Sequence, residues 1–74
     1  MKKPPPETIA LLHAVDILGG QTATASVMGV TQQAVQYWCR RGRVPALQTL
    51  KLEGVSGVSR SKLRPDLYPA EAKR

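Results

Sequence analysis

The chain has 74 residues and a formal net charge of +6, from eleven Lys and Arg against five Asp and Glu. A chain of this length forms at most one domain and buries only about 60% of the surface that its unfolded form exposes. A single histidine and a single cysteine exclude an intrachain disulfide and a Cys/His metal site in the monomer. They also leave no acid–base pair or activated nucleophile, so the composition argues against an enzyme, and no cofactor is expected.

The ends of the chain differ in composition from its middle. Residues 1–5 are basic and proline-rich, which predicts a flexible N-terminal arm whose lysines either touch phosphates or are solvated. Residues 69–74 are expected to form a flexible tail, and residues 6–68 the folded domain. The apolar run over residues 9–18 is too short and too interrupted to be a signal peptide or a membrane span. A reduced, cytoplasmic location is therefore expected.

The first predicted helix runs from Pro6 to Leu18. Proline suits the first turn of a helix, and Glu7 complements the positive end of the helix dipole there. Apolar residues recur at intervals of three and four, which predicts one buried stripe made of Leu11, Leu12, Val15 and Leu18. Gly19 and Gly20 should end this helix.

Two short helices then meet at Gly29, which can adopt the left-handed backbone conformation that turns the chain. The second helix is predicted from Gln21 to Met28. The third follows Thr31, a favourable N-cap, and extends from residue 32 to residue 40 or 41. Small or apolar residues occupy the spacing of a helix-turn-helix at Ala25, Val30, Val35 and Trp38. Thr24 stands where an apolar residue is expected for packing, which predicts a weakly packed second helix.

The third helix has two distinct faces. Val35, Trp38 and, more weakly, Ala34 should point into the core. The outward face should carry Gln32, Gln33, Gln36, Tyr37 and Arg40. No charged residue occurs over residues 17–39, so solvation alone explains three outward glutamines poorly. A glutamine amide is a good bidentate partner for adenine in the major groove.

A fourth helix is predicted from residue 45 to about residue 53 or 55, with an apolar face of Leu47, Leu50, Val55 and Leu52. Gly57 should close it, and Ser59 can cap a fifth helical turn over Arg60–Leu63. Pro65 then breaks the helix. Cations cluster after the third helix, as in nucleic-acid binders whose neutral side chains read bases while cations hold phosphates.

Several motifs in this order resemble the Cro/YdaS-like branch of the phage repressor helix-turn-helix proteins. They are residues 19–21 (GGQ), 28–30 (MGV), 32–35 (QQAV), Trp38, 41–46 (RGRVPA) and 63–69 (LRPDLYP). The resemblance implies an all-α, lambda-repressor-like domain of five short helices that binds a palindromic operator as a dimer and represses prophage transcription. Some members end in a β-hairpin, but the absence of alternating β-branched residues after Gly54 favours helices here.

The resemblance also implies roles for matching positions. Gln32, Gln33 and Gln36 would read base edges in double-stranded DNA. Contacts to the DNA backbone would come from Gln21, Thr31, Tyr37, Arg40, Arg41 and Arg43. At Gln21 a helix-capping role is the alternative.

The sequence leaves several hypotheses open for the binding partners of the protein. Apolar residues in the C-terminal third predict a weak homodimer interface formed by Val55, Val58, Leu63, Leu67 and Tyr68. The same patch could instead bind a toxin, because YdaS-like members can act as antitoxins. A further alternative is an architectural DNA binder of the excisionase or MerR type, which would add a two-stranded wing after Pro45.

Overall fold

A computed structural model describes residues 3–69 of the chain. These residues form five α-helices and no strand, as predicted. The helices are α1 (Pro6–Leu18), α2 (Gln21–Met28), α3 (Gln32–Arg41), α4 (Ala46–Ser56) and α5 (Arg60–Leu63). The described part of the C-terminal segment contains the short helix α5 and no β-hairpin. Residues 1–2 of the predicted flexible arm (residues 1–5) and residues 70–74 of the predicted flexible tail (residues 69–74) lie outside the described residues, and this division of the chain stays a prediction.

Local backbone signals set the helix ends. Gly29 lies between α2 and α3 with φ of 73°, in the left-handed region that glycine adopts most readily. Thr31 caps α3, since its hydroxyl oxygen accepts a hydrogen bond from the Ala34 N–H at 3.0 Å. Helix α4 extends one residue further than predicted, to Ser56, because Gly54 keeps a helical conformation and only Gly57 turns left-handed.

The core lies where α1 crosses the other four helices. Its apolar side chains are Ala10, Leu11, Ala14, Val15, Ala25, Met28, Val35, Trp38, Val44, Leu52, Val58 and Leu63. The predicted stripe of α1 was wrong at Leu12, which is 46% exposed. Two alanines take its place in the core because they allow the neighbouring helices to approach α1 closely.

The predicted inward face of α4 was also wrong. Leu47 is 94% exposed, and Leu50 and Val55 are exposed as well, so that only Leu52 of the predicted set is buried. Thr49 is buried instead, and its hydroxyl donates to the carbonyl of Pro45 at 3.0 Å.

The expected weak packing of α2 was likewise not found. Thr24 is fully buried, because its hydroxyl donates to the carbonyl of Gly20 at 2.7 Å and so satisfies its own polar group.

Candidate nucleic-acid interface

The exposed face of α3 carries two rows of side chains spaced four residues apart. One row is Gln32, Gln36 and Arg40, and the other is Gln33, Tyr37 and Arg41. All six side chains are exposed. The sequence analysis predicted this for five of them, all except Arg41. Residues four apart on a helix lie above one another on one face. Each row therefore begins with an amide and ends with a guanidinium.

The opposite face of α3 fixes the direction in which these rows point. Val35 is fully buried and Trp38 nearly so, which confirms that the tryptophan belongs to the core. Val30 and Ala34 pack against the same cluster at its edge. Because two large side chains anchor α3, the glutamine face cannot rotate without opening the core.

The N-terminus of α2 lies beside the C-terminal half of α3. The side chain of Gln21 is half-buried and lies near the thiol of Cys39. Burial raises the pKa of that thiol, and the nearby Gln21 amide partly opposes the rise. Gly20, which precedes the helix, provides no side-chain cap. The predicted contact of Gln21 with a phosphate stays a prediction.

The three arginines after the glutamines have different surroundings. The described residues form no ion pair with Arg40. The Nη1 of Arg41 donates to the hydroxyl of Tyr37 at 3.2 Å, and its guanidinium lies 5.8 Å from the centre of that ring. Arg43 pairs instead with two carboxylates, its nitrogens being 3.5 Å from Glu7 and 3.6 Å from Asp66. The sequence grouped these cations together, whereas their structural roles differ.

A buried arginine, which the sequence analysis missed, braces the turn after α3. Arg64 is only 9% exposed, and its Nη1 donates to the carbonyl of Val44 at 2.8 Å. Its Nε and Nη2 donate to the two carboxylate oxygens of Asp66 at 3.0 and 2.8 Å. These bonds raise the pKa of Arg64 and lower the pKa of Asp66 to about 2. The Arg-Pro-Asp spacing was the available signal, although the sequence analysis treated it as a helix breaker and a family motif and assigned Arg64 no contact.

A second contact holds the same turn from α1. The hydroxyl of Thr8 donates to the carbonyl of Gly42 at 2.8 Å. Gly42 has φ of 89°, and a Cβ added there would lie 2.8 Å from the Thr8 hydroxyl oxygen. A glycine is thus required both by the backbone conformation and by the close approach of α1. Both contacts fix where α3 ends and where Arg41 and Arg43 emerge.

The predicted dimer patch was partly wrong. Val58 is 8% exposed and Leu63 is fully buried, because both fill the core between α1, α4 and α5, and neither can meet a second molecule. Val55 and Leu67 remain exposed, and Tyr68 is half-buried, with the Arg60 guanidinium 5.6 Å from its ring centre. Other exposed apolar side chains lie outside this patch, at Ile9, Leu12, Ile17, Val27, Leu47 and Leu50.

Two structural features are absent from residues 3–69. Within this range, no group of three or more His, Cys, Asp or Glu side chains could hold a metal ion. None of the five helices is long and apolar enough to cross a membrane.

Comparison with known proteins supplies the family. The family model described as bacterial toxin YdaS matches residues 11–72. Among solved structures, the chain is similar to the Cro protein from the prophage element Xfaso 1 in Xylella fastidiosa strain Ann-1. The two are 40% identical and superpose with a TM-score of 0.78, over 82% of this chain and 97% of that one. A search of functionally curated proteins gives no match. Proteins of this kind are not enzymes, in agreement with the sequence analysis. The helix-turn-helix fold and the match over residues 11–72 together show that the chain belongs to the YdaS family, with a prophage Cro protein among its relatives.

Proposed function

We propose that this protein is a sequence-specific DNA-binding regulator, a Cro-like repressor that places α3 in the major groove of a palindromic operator. The observation that carries the proposal is the exposed face of α3, where two rows each lead from an amide to an arginine. No carboxylate interrupts this helix. A face that served only solvation would have no need of three amides in register with two cations.

The glutamines are proposed to read bases. The N-terminal part of a recognition helix enters the groove most deeply, which places Gln32 and Gln33 nearest to the base edges and Gln36 one turn behind. A glutamine amide can donate to N7 and accept from N6 of adenine at the same time. The core anchoring of α3 by Trp38 and Val35 supports this function, because readout requires side chains held in a fixed direction.

The backbone contacts are proposed to come from residues around the glutamines. The Thr31 hydroxyl oxygen caps α3 while its proton remains available to a phosphate. Arg40 and Arg41 would neutralise phosphates at the other end of the helix, with Tyr37 and Arg43 beside them and Gln21 at the start of α2. Replacing Arg40 with Ala should weaken binding to all DNA similarly and lower the slope of log affinity against log salt by about one unit. Lys62→Ala, a cation on α5, is the matched control.

The operator is proposed to be bound by a weak symmetric dimer, because one reading helix covers only a few base pairs. A two-fold arrangement would set the reading helices about 34 Å apart, one turn of the duplex. The remainder of the predicted patch, formed by the exposed Val55 and Leu67 and the half-buried Tyr68, is the proposed contact. Leu67→Ser should then abolish the advantage of a palindrome over a half-site. Leu47→Ser, at another exposed leucine, should leave that advantage intact.

A role in a toxin–antitoxin pair is the second candidate. It is favoured by the description of the matching family as a bacterial toxin. The sequence analysis had instead suggested the antitoxin, which is the other member of such a pair. Growth arrest on expression of the chain alone would support a toxin. Co-purification of a neighbouring gene product would support a partner. The alternative of an architectural DNA binder is disfavoured, because such proteins have a two-stranded wing after the proline. In the described chain the residues after Pro45 form α4, and there is no such wing.

Selection of bound DNA from a random pool tests the main proposal. A palindromic consensus with adenines in each half-site is the expected result. Recovery of a pool without any preferred sequence would contradict the proposed operator binding. A regulator of bacterial transcription would act in the cytoplasm, so the predicted location follows from the same proposal.

A further inference from the structure

A cleft of about 260 Å³ lies beside the last turn of α3. Its lining includes the side chains of Arg41, Arg43 and Arg64, together with Tyr37 and Pro45. Three arginines contribute to the lining of one small space here, although the sequence analysis assigned two of them to the DNA backbone and the third to a helix end. The roles proposed above for single side chains do not explain why they share a cleft.

The size and the charge of the cleft limit its occupant. Pockets for whole small molecules measure about 300 to 1,000 Å³, so this cleft suits a single charged group that belongs to something larger. Arginine guanidinium groups bind phosphate oxygens through paired hydrogen bonds, a geometry that few other side chains provide. A phosphate group is therefore the ligand chemistry that fits.

The three arginines are not equally free to bind it. Arg64 directs its donors to Val44 and Asp66 and so acts as the fixed base of the cleft. Arg41 uses one N–H on the Tyr37 hydroxyl, whose own proton can still be donated to a phosphate oxygen. Arg43 is held only by long contacts, of 3.5 Å to Glu7 and 3.6 Å to Asp66, with 42% of the arginine side chain exposed. Such ion pairs are weak and are readily exchanged for another anion.

We propose that this cleft seats one backbone phosphate of bound DNA and that Arg43 exchanges Glu7 for that phosphate. Glu7 then acts as an internal competitor that lowers affinity for DNA. The inference rests on the proposed DNA binding, and it adds one defined phosphate position and a role for an acidic residue of α1. It also explains why Arg43, alone among the three arginines after the glutamines, is held by carboxylates in the free protein.

The first test measures affinity for a selected operator. Glu7→Gln should raise affinity about two- to fivefold, as expected from removing one partly exposed ion pair. Asp16→Asn changes the net charge equally but removes no ion pair formed within residues 3–69, and it should change affinity much less. In an Arg43→Gln background the gain from Glu7→Gln should vanish. Equal gains from both carboxylate variants, or a gain that persists without Arg43, would overturn the exchange. Thermal melts establish that each variant is folded.

The second test identifies the source of the phosphate. A neutral methylphosphonate is placed at one backbone position at a time in the operator. One position should weaken wild-type binding about tenfold or more, as loss of hydrogen bonds to a charged group predicts, and should weaken binding of Arg43→Gln clearly less. Absence of any such position would overturn the DNA phosphate as occupant.

A third test does not depend on operator binding. Inorganic phosphate is titrated into the free protein at constant ionic strength while the side-chain NMR signals of Tyr37, Arg41 and Arg43 are followed. Specific shifts, stronger in Glu7→Gln, would support the phosphate site even if the selection experiment found no operator. Absence of shifts would overturn the site itself. Tight binding that displaces DNA would reassign it to a free phosphate compound.

Discussion

Replacing Arg64 with Met tests the brace that holds the turn between α3 and α4. Methionine keeps an unbranched chain of similar length in the buried position but removes the donor to the Val44 carbonyl, which lies 2.8 Å away. A buried acceptor left without its donor costs about 1–3 kcal/mol. The free energy of unfolding of a chain this long is roughly 4–11 kcal/mol. The loss corresponds to a fall in Tm of about 5–20 °C.

The assay is thermal unfolding followed by circular dichroism, with Arg60→Met as the matched control. The side chain of Arg60 is 49% exposed and forms one ion pair, with Glu53, so the same chemical change should cost less than about 1 kcal/mol there. If both variants melt together, close to the wild type, the bond from Arg64 to the Val44 carbonyl does not brace the turn.

Three further outcomes are expected. Because the hydrogen bond from Arg64 lowers the pKa of Asp66 to about 2, from about 3.9 in unfolded chains, this carboxylate stabilises the fold above pH 4, and its contribution is lost as the pH falls towards 2. Acid unfolding curves should show that this part of the pH dependence disappears in Asp66→Asn. Gly42→Ala should destabilise more than Gly57→Ala in urea unfolding, since both positions are left-handed but only the former meets another side chain; equal losses would contradict the close approach. Gln33→Ala should cost about 1–3 kcal/mol at one or two base pairs of the operator, whereas equal weakening on random DNA would refute base reading.

The helix boundaries were predictable because their causes are local. The Thr31 side chain caps α3 by accepting a hydrogen bond from the N–H group three residues later, and Gly29 turns the chain because its own φ angle is left-handed. Signals of this kind act within one helical turn, so the sequence alone contains them. The outward position of the glutamines was predictable for the same reason, since Val35 and Trp38 define the inner face of α3 by their spacing.

The inward faces of α1 and α4 were less predictable. Both helices carry apolar residues on several sides, so that the period of hydrophobicity does not select one face. Thr49 is buried in the core, whereas Leu47 and Leu50 are exposed. Threonine counts as polar in a hydrophobic pattern, yet the Thr49 hydroxyl bonds to the carbonyl four residues earlier and its methyl group can then be buried.

The brace at the α3–α4 turn depends on contacts distant in sequence. Arg64 donates to a carbonyl twenty residues earlier, and Thr8 reaches a carbonyl thirty-four residues later. Nothing local to Arg64 distinguishes a buried arginine from a solvated one, apart from the carboxylate two residues later. The different roles of the arginines are therefore visible only in the folded structure.

The most direct test of base reading by α3 is the ratio of affinities for two duplexes at physiological salt. One duplex carries the selected operator, and the other has the same base composition in scrambled order. Sequence-specific regulators favour their sites by about a thousandfold or more, and a ratio of that size is predicted here. A ratio near one, with both duplexes bound and equally sensitive to salt, would mean that the protein holds phosphates without reading bases, and it would contradict the central claim.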